Sequence, residues 1–133
     1  MKVYLARFAK NDKVAYKIGH TKWFNSIKRF NDEQYNIFDD VSILSDILVS
    51  DVDGKVARQK AELVEACIQG MFPKNFRLEE HFTTPDNTFT GLSGITEMFI
   101  LPNNTQEEDV VEIFDSIKKR VERVQHDNHD SKK

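Results

Sequence analysis

Cysteine, proline and glycine are all scarce in this chain: its 133 residues include 1 Cys, 3 Pro and 5 Gly. A lone thiol, Cys67, excludes an internal disulfide framework and any multi-cysteine zinc site, and it suits a reducing compartment. Four scattered His form no HxxxH pair, which removes the usual structural zinc sets. No apolar run approaches the roughly 18 residues of a membrane span. MKVYLARF, interrupted by Arg7, has no signal-peptide core. We therefore expect a cytoplasmic protein that does not engage a membrane. What is present is a hydrophobic share of 39% with 10 Phe, enough to fill one core. The expectation is a single domain over residues 1–126 and a disordered tail over 127–133.

A formal net charge of −3 argues, on average, against binding to a nucleic-acid backbone. The charges are segregated, however. Residues 1–29 hold Lys2, Arg7, Lys10, Lys13, Lys17, Lys22, Lys28 and Arg29 against the single acid Asp12. Residues 30–54 hold seven acids and no base. The basic section keeps an anionic partner in view.

Periodicity gives a coarse order of elements. VYLARFA and KVAYKIG are β-rich runs joined through Asn11-Asp12, a hairpin signal. Thr21 is placed to cap a helix to about Asn36, with Trp23, Ile27 and Phe30 on one face. DDVSILSDILVS (39–50) reads as a strand whose alternation breaks at Ser45-Asp46, as at a β-bulge. After Asp53-Gly54 a helix is expected over about 55–71, with Val56, Leu63, Ala66, Cys67 and Met71 as its apolar face and Gly70 and Pro73 ending it. Residues 73–96 form a long irregular stretch. TEMFIL (96–101) reads as a short buried strand. Thr105 with Glu108 forms a capping box that opens a helix to about Gln125, and Val110, Phe114, Ile117, Val121 and Val124 repeat at 4-3-4-3 spacing. The fold expectation is α/β (α+β): a small, mainly antiparallel three-stranded sheet flanked by helices, with a long C-terminal helix.

VAYKIGHTKWFNSIKRF (14–30) gathers Tyr16, Lys17, His20, Lys22, Lys28 and Arg29 around Gly19. VYL (3–5), followed after a gap by KIG (17–19) and HT, resembles the two signature strands of the GIY-YIG nuclease superfamily, in particular its small phage-type branch with a YKIG second motif. Arg29, ten residues past the glycine, matches the family's phosphate-facing arginine. ELVEACIQGMF and ITEMFIL resemble the branch's second helix and its late glutamate-bearing segment. The resemblance spans about residues 3–101. Tyr4 falls on the tyrosine of the first triplet, Gly19 on the closing glycine and Glu97 on the glutamate. Three positions depart from the pattern. Val3 stands for the leading glycine, Lys17 occupies the slot of the second tyrosine with Tyr16 one residue early, and Gln69 sits where the branch often has histidine.

The resemblance implies a metal-dependent DNA endonuclease or nickase of phage or mobile-element origin, acting in the bacterial host cytoplasm with Mg²⁺, for which Mn²⁺ would substitute. Tyr4 would orient or activate water, Lys17 would assist, His20 would relay a proton, Arg29 would hold phosphate and Glu97 would hold metal. Tyr16, Lys22 and Lys28 would contact substrate. The chemistry fits these residue types. A guanidinium forks onto phosphate oxygens, Mg²⁺ is often held by one or two carboxylates, and a cation beside a phenol favours the phenolate. DNA is the implied partner, with a homodimer or a second protein supplying target choice. Taken singly, each residue also has an ordinary role: sheet packing for Tyr4 and Tyr16, a solvated face for Lys17, a turn for His20, the helix surface for Arg29 and an edge strand for Glu97. The alternative reading is a GIY-YIG-like regulator that binds DNA or protein without catalysis.

Overall fold

The computed structural model of the chain describes residues 1–10, 13–22, 38–51, 54–71, 98–101 and 104–131, the last eight by backbone alone. In chain order the elements are β1 (Lys2–Lys10), β2 (Lys13–Thr21), β3 (Asp40–Leu48), α1 (Lys55–Gln69), β4 (Met98–Phe99) and α2 (Glu107–Ser131). The strands form one sheet in the order β3-β1-β2-β4, and each described pair is antiparallel. The α+β class expected from the sequence is present, but the sheet has four strands rather than three. Met98 and Phe99 pair with Lys17 and Tyr16 and so extend the outer side of β2.

Strand alternation divides the side chains between two faces. Val3, Leu5, Tyr16, Ile18, Ile47 and Phe99 join one cluster, closed by Ala57, Ala61 and Ile68 of α1 and by Val110 and Phe114 of α2. Tyr4, Ala6, Phe8, Ala15, Phe38 and Met98 form a second cluster on the opposite face. Burial on both faces explains why VYLARFA and KVAYKIG are nearly continuous apolar runs. Each fully buried Leu or Ile contributes about 1.5–3 kcal/mol.

The break in β3 is a bulge. Leu5 pairs with Ser45 but Ala6 with Ile43, so Leu44 is the extra residue. The insertion flips the alternation, which is why Ile47 reaches the helix-side core while Asp46 lies opposite Tyr4. Ser45, on the helix side, donates its hydroxyl to Asp115 Oδ1 at 2.6 Å and ties α2 to the sheet.

Both described helices depart from expectation in detail. Gly54 (φ 141°) opens α1 in a backbone conformation that favours glycine. The packed face of α1 is not the one predicted: Ala57, Ala61, Glu65 and Ile68 are buried, while Val56 is 78% and Leu63 69% exposed. Two alanines let α1 approach the sheet closely, and Glu65 finds polar partners there, so the largest apolar residues do not mark the contact. The cap of α2 lies one residue later than the Thr105–Glu108 box. Asp109 Oδ2 accepts the Gln106 N–H at 3.0 Å. The 4-3-4 stripe holds, with Val110 and Phe114 buried and Ile117 and Val121 packed against them. The backbone of α2 runs to Ser131, past the end expected near Gln125. The helix expected from Thr21 to Asn36 and the irregular stretch at 73–96 lie outside the described residues, except that Thr21 itself closes β2.

Candidate functional site

Tyr4 and Lys17 converge over Gly19. In the hairpin register Tyr4 is the direct partner of Gly19, and Lys17, two residues back along β2, shares that face. A Cβ at position 19 would stand 2.6 Å from the Tyr4 hydroxyl oxygen, 2.9 Å from Cζ and 3.4 Å from Lys17 Cε. The glycine therefore makes room for a phenol and a lysine stem to cross the strand together. Both are enclosed, Tyr4 at 1% exposure and Lys17 at 4%. A lysine this buried among Tyr4, Ala15 and Met98 is unusual and costly without compensation. Thr21, also buried, continues the same row.

On the other side of Tyr4 stands Asp46, its partner on β3. Its Oδ2 lies 3.4 Å from Lys2 Nζ. In the sequence this aspartate marks only the break in alternation of a strand. The signal that could have placed it was the same bulge, which turns residue 46 toward Tyr4.

His20 is not brought to this site. It alternates to the helix side, opposite Val3, where its Nδ1 is 2.6 Å from Glu65 Oε2. Gln69 Nε2 donates to Glu65 Oε1 and to the carbonyl of Ile18, both at 3.1 Å. Gln69 thus joins α1 to the backbone of β2 as well as to Glu65. The imidazole expected near the tyrosine instead fastens α1 to the end of β2. Gln69, which departs from the family pattern, has a structural task of its own.

Tyr16 also faces the helices. It stacks on Phe99 with centroids 5.7 Å apart and donates its hydroxyl to Glu107 Oε1 at 3.0 Å. The same oxygen accepts from Arg7 Nε at 2.9 Å. Burial, then the hydrogen bond and negative charge of Glu107, push the Tyr16 phenol up to about 12, against the opposing pull of Arg7. The neutral phenol ties β2 to the first turn of α2. Lys22 is exposed just beyond β2. Arg29, Lys28 and Glu97 lie outside the described residues.

The described donors on the Tyr4 face are oxygens and ammonium groups, without imidazole or thiolate. Of these only the oxygens of Asp46, Tyr4 and Thr21 can ligate a cation, and the ammonium groups of Lys2 and Lys17 would repel one. Among the described residues no group of three or more His, Cys, Asp and Glu is arranged to chelate a metal. A separate groove of about 510 Å³ runs along α2, lined by Glu107, Glu108, Glu112 and Asp115 with Lys119. Its charge repels a polyanion. Among the described residues, no helix is long and apolar enough to cross a membrane. Comparison with protein-family models, with curated proteins and with solved structures gave no match.

Proposed function

We propose that the chain is a metal-dependent DNA endonuclease or nickase of the GIY-YIG kind, encoded by a phage or mobile element and acting in the host cytoplasm. The observation that carries this reading is the meeting of Tyr4 and Lys17 over Gly19, the three positions that the signature motifs assign to the centre. In this reading Tyr4 orients the attacking water or takes its proton. The Lys17 ammonium stabilises the phenolate and the charge growing on the phosphoryl oxygens. Arg29 forks onto the phosphate, Glu97 anchors Mg²⁺ or Mn²⁺, and Lys22 and Lys28 lie along the DNA backbone. The cation supplies Lewis acidity toward the phosphoryl oxygen and the leaving alkoxide. His20 and Tyr16 keep the frame that presents the hairpin, since both sit on its other face. A homodimer or a partner protein supplies target choice.

A second reading, a regulator that binds DNA or protein on this scaffold without cutting it, is favoured by the burial of Tyr4 and Lys17. Plasmid nicking separates the two. The nuclease reading expects cleavage that needs Mg²⁺ or Mn²⁺ and disappears in Glu97→Ala and Arg29→Ala. Salt-sensitive binding without cleavage across both metals selects the regulator. A chain with no salt-sensitive DNA binding defeats both nucleic-acid readings.

A further inference from the structure

Helix α2 carries its charge in two blocks. Residues 107–115 include Glu107, Glu108, Asp109, Glu112 and Asp115, whereas residues 118–123 include Lys118, Lys119, Arg120 and Arg123 beside Glu122. Glu107 is engaged by Tyr16 and Arg7, and Asp115 by Ser45, so those two carboxylates serve the fold. Glu108, Glu112, Lys119 and Arg123 are exposed, and among the described residues none of the four has an ion-pair partner. Their spacing of four, seven and four residues sets them within about 60° of arc. That arc points away from the buried Val110 and Phe114, and Glu122 falls outside it.

Neighbours along this stripe repel one another. Glu108 and Glu112 stand four residues apart, as do Lys119 and Arg123, and like charges at that spacing destabilise a helix. A parallel copy would repeat the conflict, acid on acid and base on base. An antiparallel copy removes it. With a two-fold axis between residues 115 and 116, Glu112 lies opposite Lys119 of the second copy and Glu108 opposite its Arg123. The acid pair and the basic pair have the same spacing, so one register forms all four contacts.

We propose that the outer stripe of α2 is a self-association surface, on which a second copy of this chain docks its own α2 antiparallel. The groove along α2, lined by Glu108, Val111, Glu112, Ser116 and Lys119, receives the second helix. Such a contact is self-complementary and closes at two copies, and the charges select its orientation as they do in paired helices. Exposed ion pairs are individually weak and are screened by salt, so the dimer belongs to low ionic strength. The inference rests on the homodimer of the reading above and gives it a surface.

Sedimentation velocity without DNA or metal tests it. The wild type is expected to form a concentration-dependent dimer at low salt and to become monomeric at high salt. Glu108→Lys with Glu112→Lys makes the stripe wholly basic, and Lys119→Glu with Arg123→Glu makes it wholly acidic. Each double variant alone should associate at least about tenfold more weakly than wild type. Mixed in equal amounts, the two should recover a heterodimer. Orientation is read with a short bismaleimide in a Cys67→Ser background, which removes the exposed native thiol. Ser116→Cys, beside the two-fold axis, should cross-link to its own copy. Glu108→Cys should not, because its counterpart lies roughly 22 Å away along the helix.

A wild type that stays monomeric at low salt leaves the stripe to some other protein and overturns the proposal. So do double variants that dimerise as well as wild type, or folded ones that fail to pair when mixed. Cross-linking through Glu108→Cys as readily as through Ser116→Cys marks a parallel contact and also overturns it. Circular dichroism checks folding, and the Ser116→Cys and Glu108→Cys pair decides alone if a double variant does not fold. None of these failures touches DNA cleavage, and a chain that dimerises as described without cutting DNA loses only the nuclease reading.

Discussion

The hydroxyl oxygen of Tyr4 occupies the space where a side chain on residue 19 would begin, 2.6 Å from the position of a Cβ there. Gly19 is thus fixed by a neighbour rather than by its own backbone. Gly19→Ala is expected to push the phenol off the strand and cost about 1–3 kcal/mol, as overpacking of a filled core does. Urea denaturation checks it. Tyr4→Phe should recover only part of the loss, because the ring carbon Cζ would still stand 2.9 Å away. Full tolerance of alanine would mean that Tyr4 can sit elsewhere.

The corrected face of α1 makes a contrast within one helix. Leu63→Gln, at a position 69% exposed, is expected to change stability by no more than about 0.5 kcal/mol. Ala61→Leu, at a fully buried position, should cost about 1–3 kcal/mol. The reverse order in a denaturation series would restore the face read from hydrophobicity.

Gln69 offers a test of the α1–β2 fastening. Gln69→Leu removes the bonds to the Ile18 carbonyl and to Glu65 Oε1, with an expected cost of about 1–3 kcal/mol. His20→Asn should lower stability and, under the proposed nuclease reading, retain cleavage within a fewfold of wild type, since its side chain lies across the sheet from Tyr4. Loss of cleavage in a fully folded His20→Asn protein would return the imidazole to the chemistry.

Tyr16 predicts behaviour at high pH. Its phenol, ordinarily near 10, is raised to about 12 in the folded chain. Below pH 10 both folded and unfolded forms are protonated, and the contribution is complete. Between 10 and 12 the unfolded chain loses its proton first, so stability falls as pH rises through that window. In an ultraviolet titration the Tyr16 phenol should ionise near 12. In Tyr16→Phe that late step should vanish, and the alkaline decline in stability should be shallower.

Local signals in the sequence were enough for the hairpin, the β3 bulge, the start of α1 at Gly54 and the core stripe of α2. Turn residues, breaks in alternation and helical spacing act over a few neighbours, so they are visible in one dimension. The co-location of Tyr4, Lys17 and Gly19 was also legible, because alternation along two paired strands fixes which residues share a face. The fourth strand pairing was not, since β4 is two residues long and contributes by where it lands. Nor was the packed side of α1. Hydrophobicity pointed to Val56 and Leu63, whereas two alanines and a glutamate make the contact.

By itself, then, the order of residues determined which segments become strands and helices, and which side chains of the hairpin lie together. Only the folded chain decided that His20 and Tyr16 brace the helices, that Asp46 stands beside Tyr4, and that Glu65 is buried among hydrogen-bond donors. The reason is physical. Periodicity sets a side chain's direction relative to its own element, but its partners belong to elements tens of residues away, and the docking of those elements is fixed by volume and by the pairing of buried polar groups.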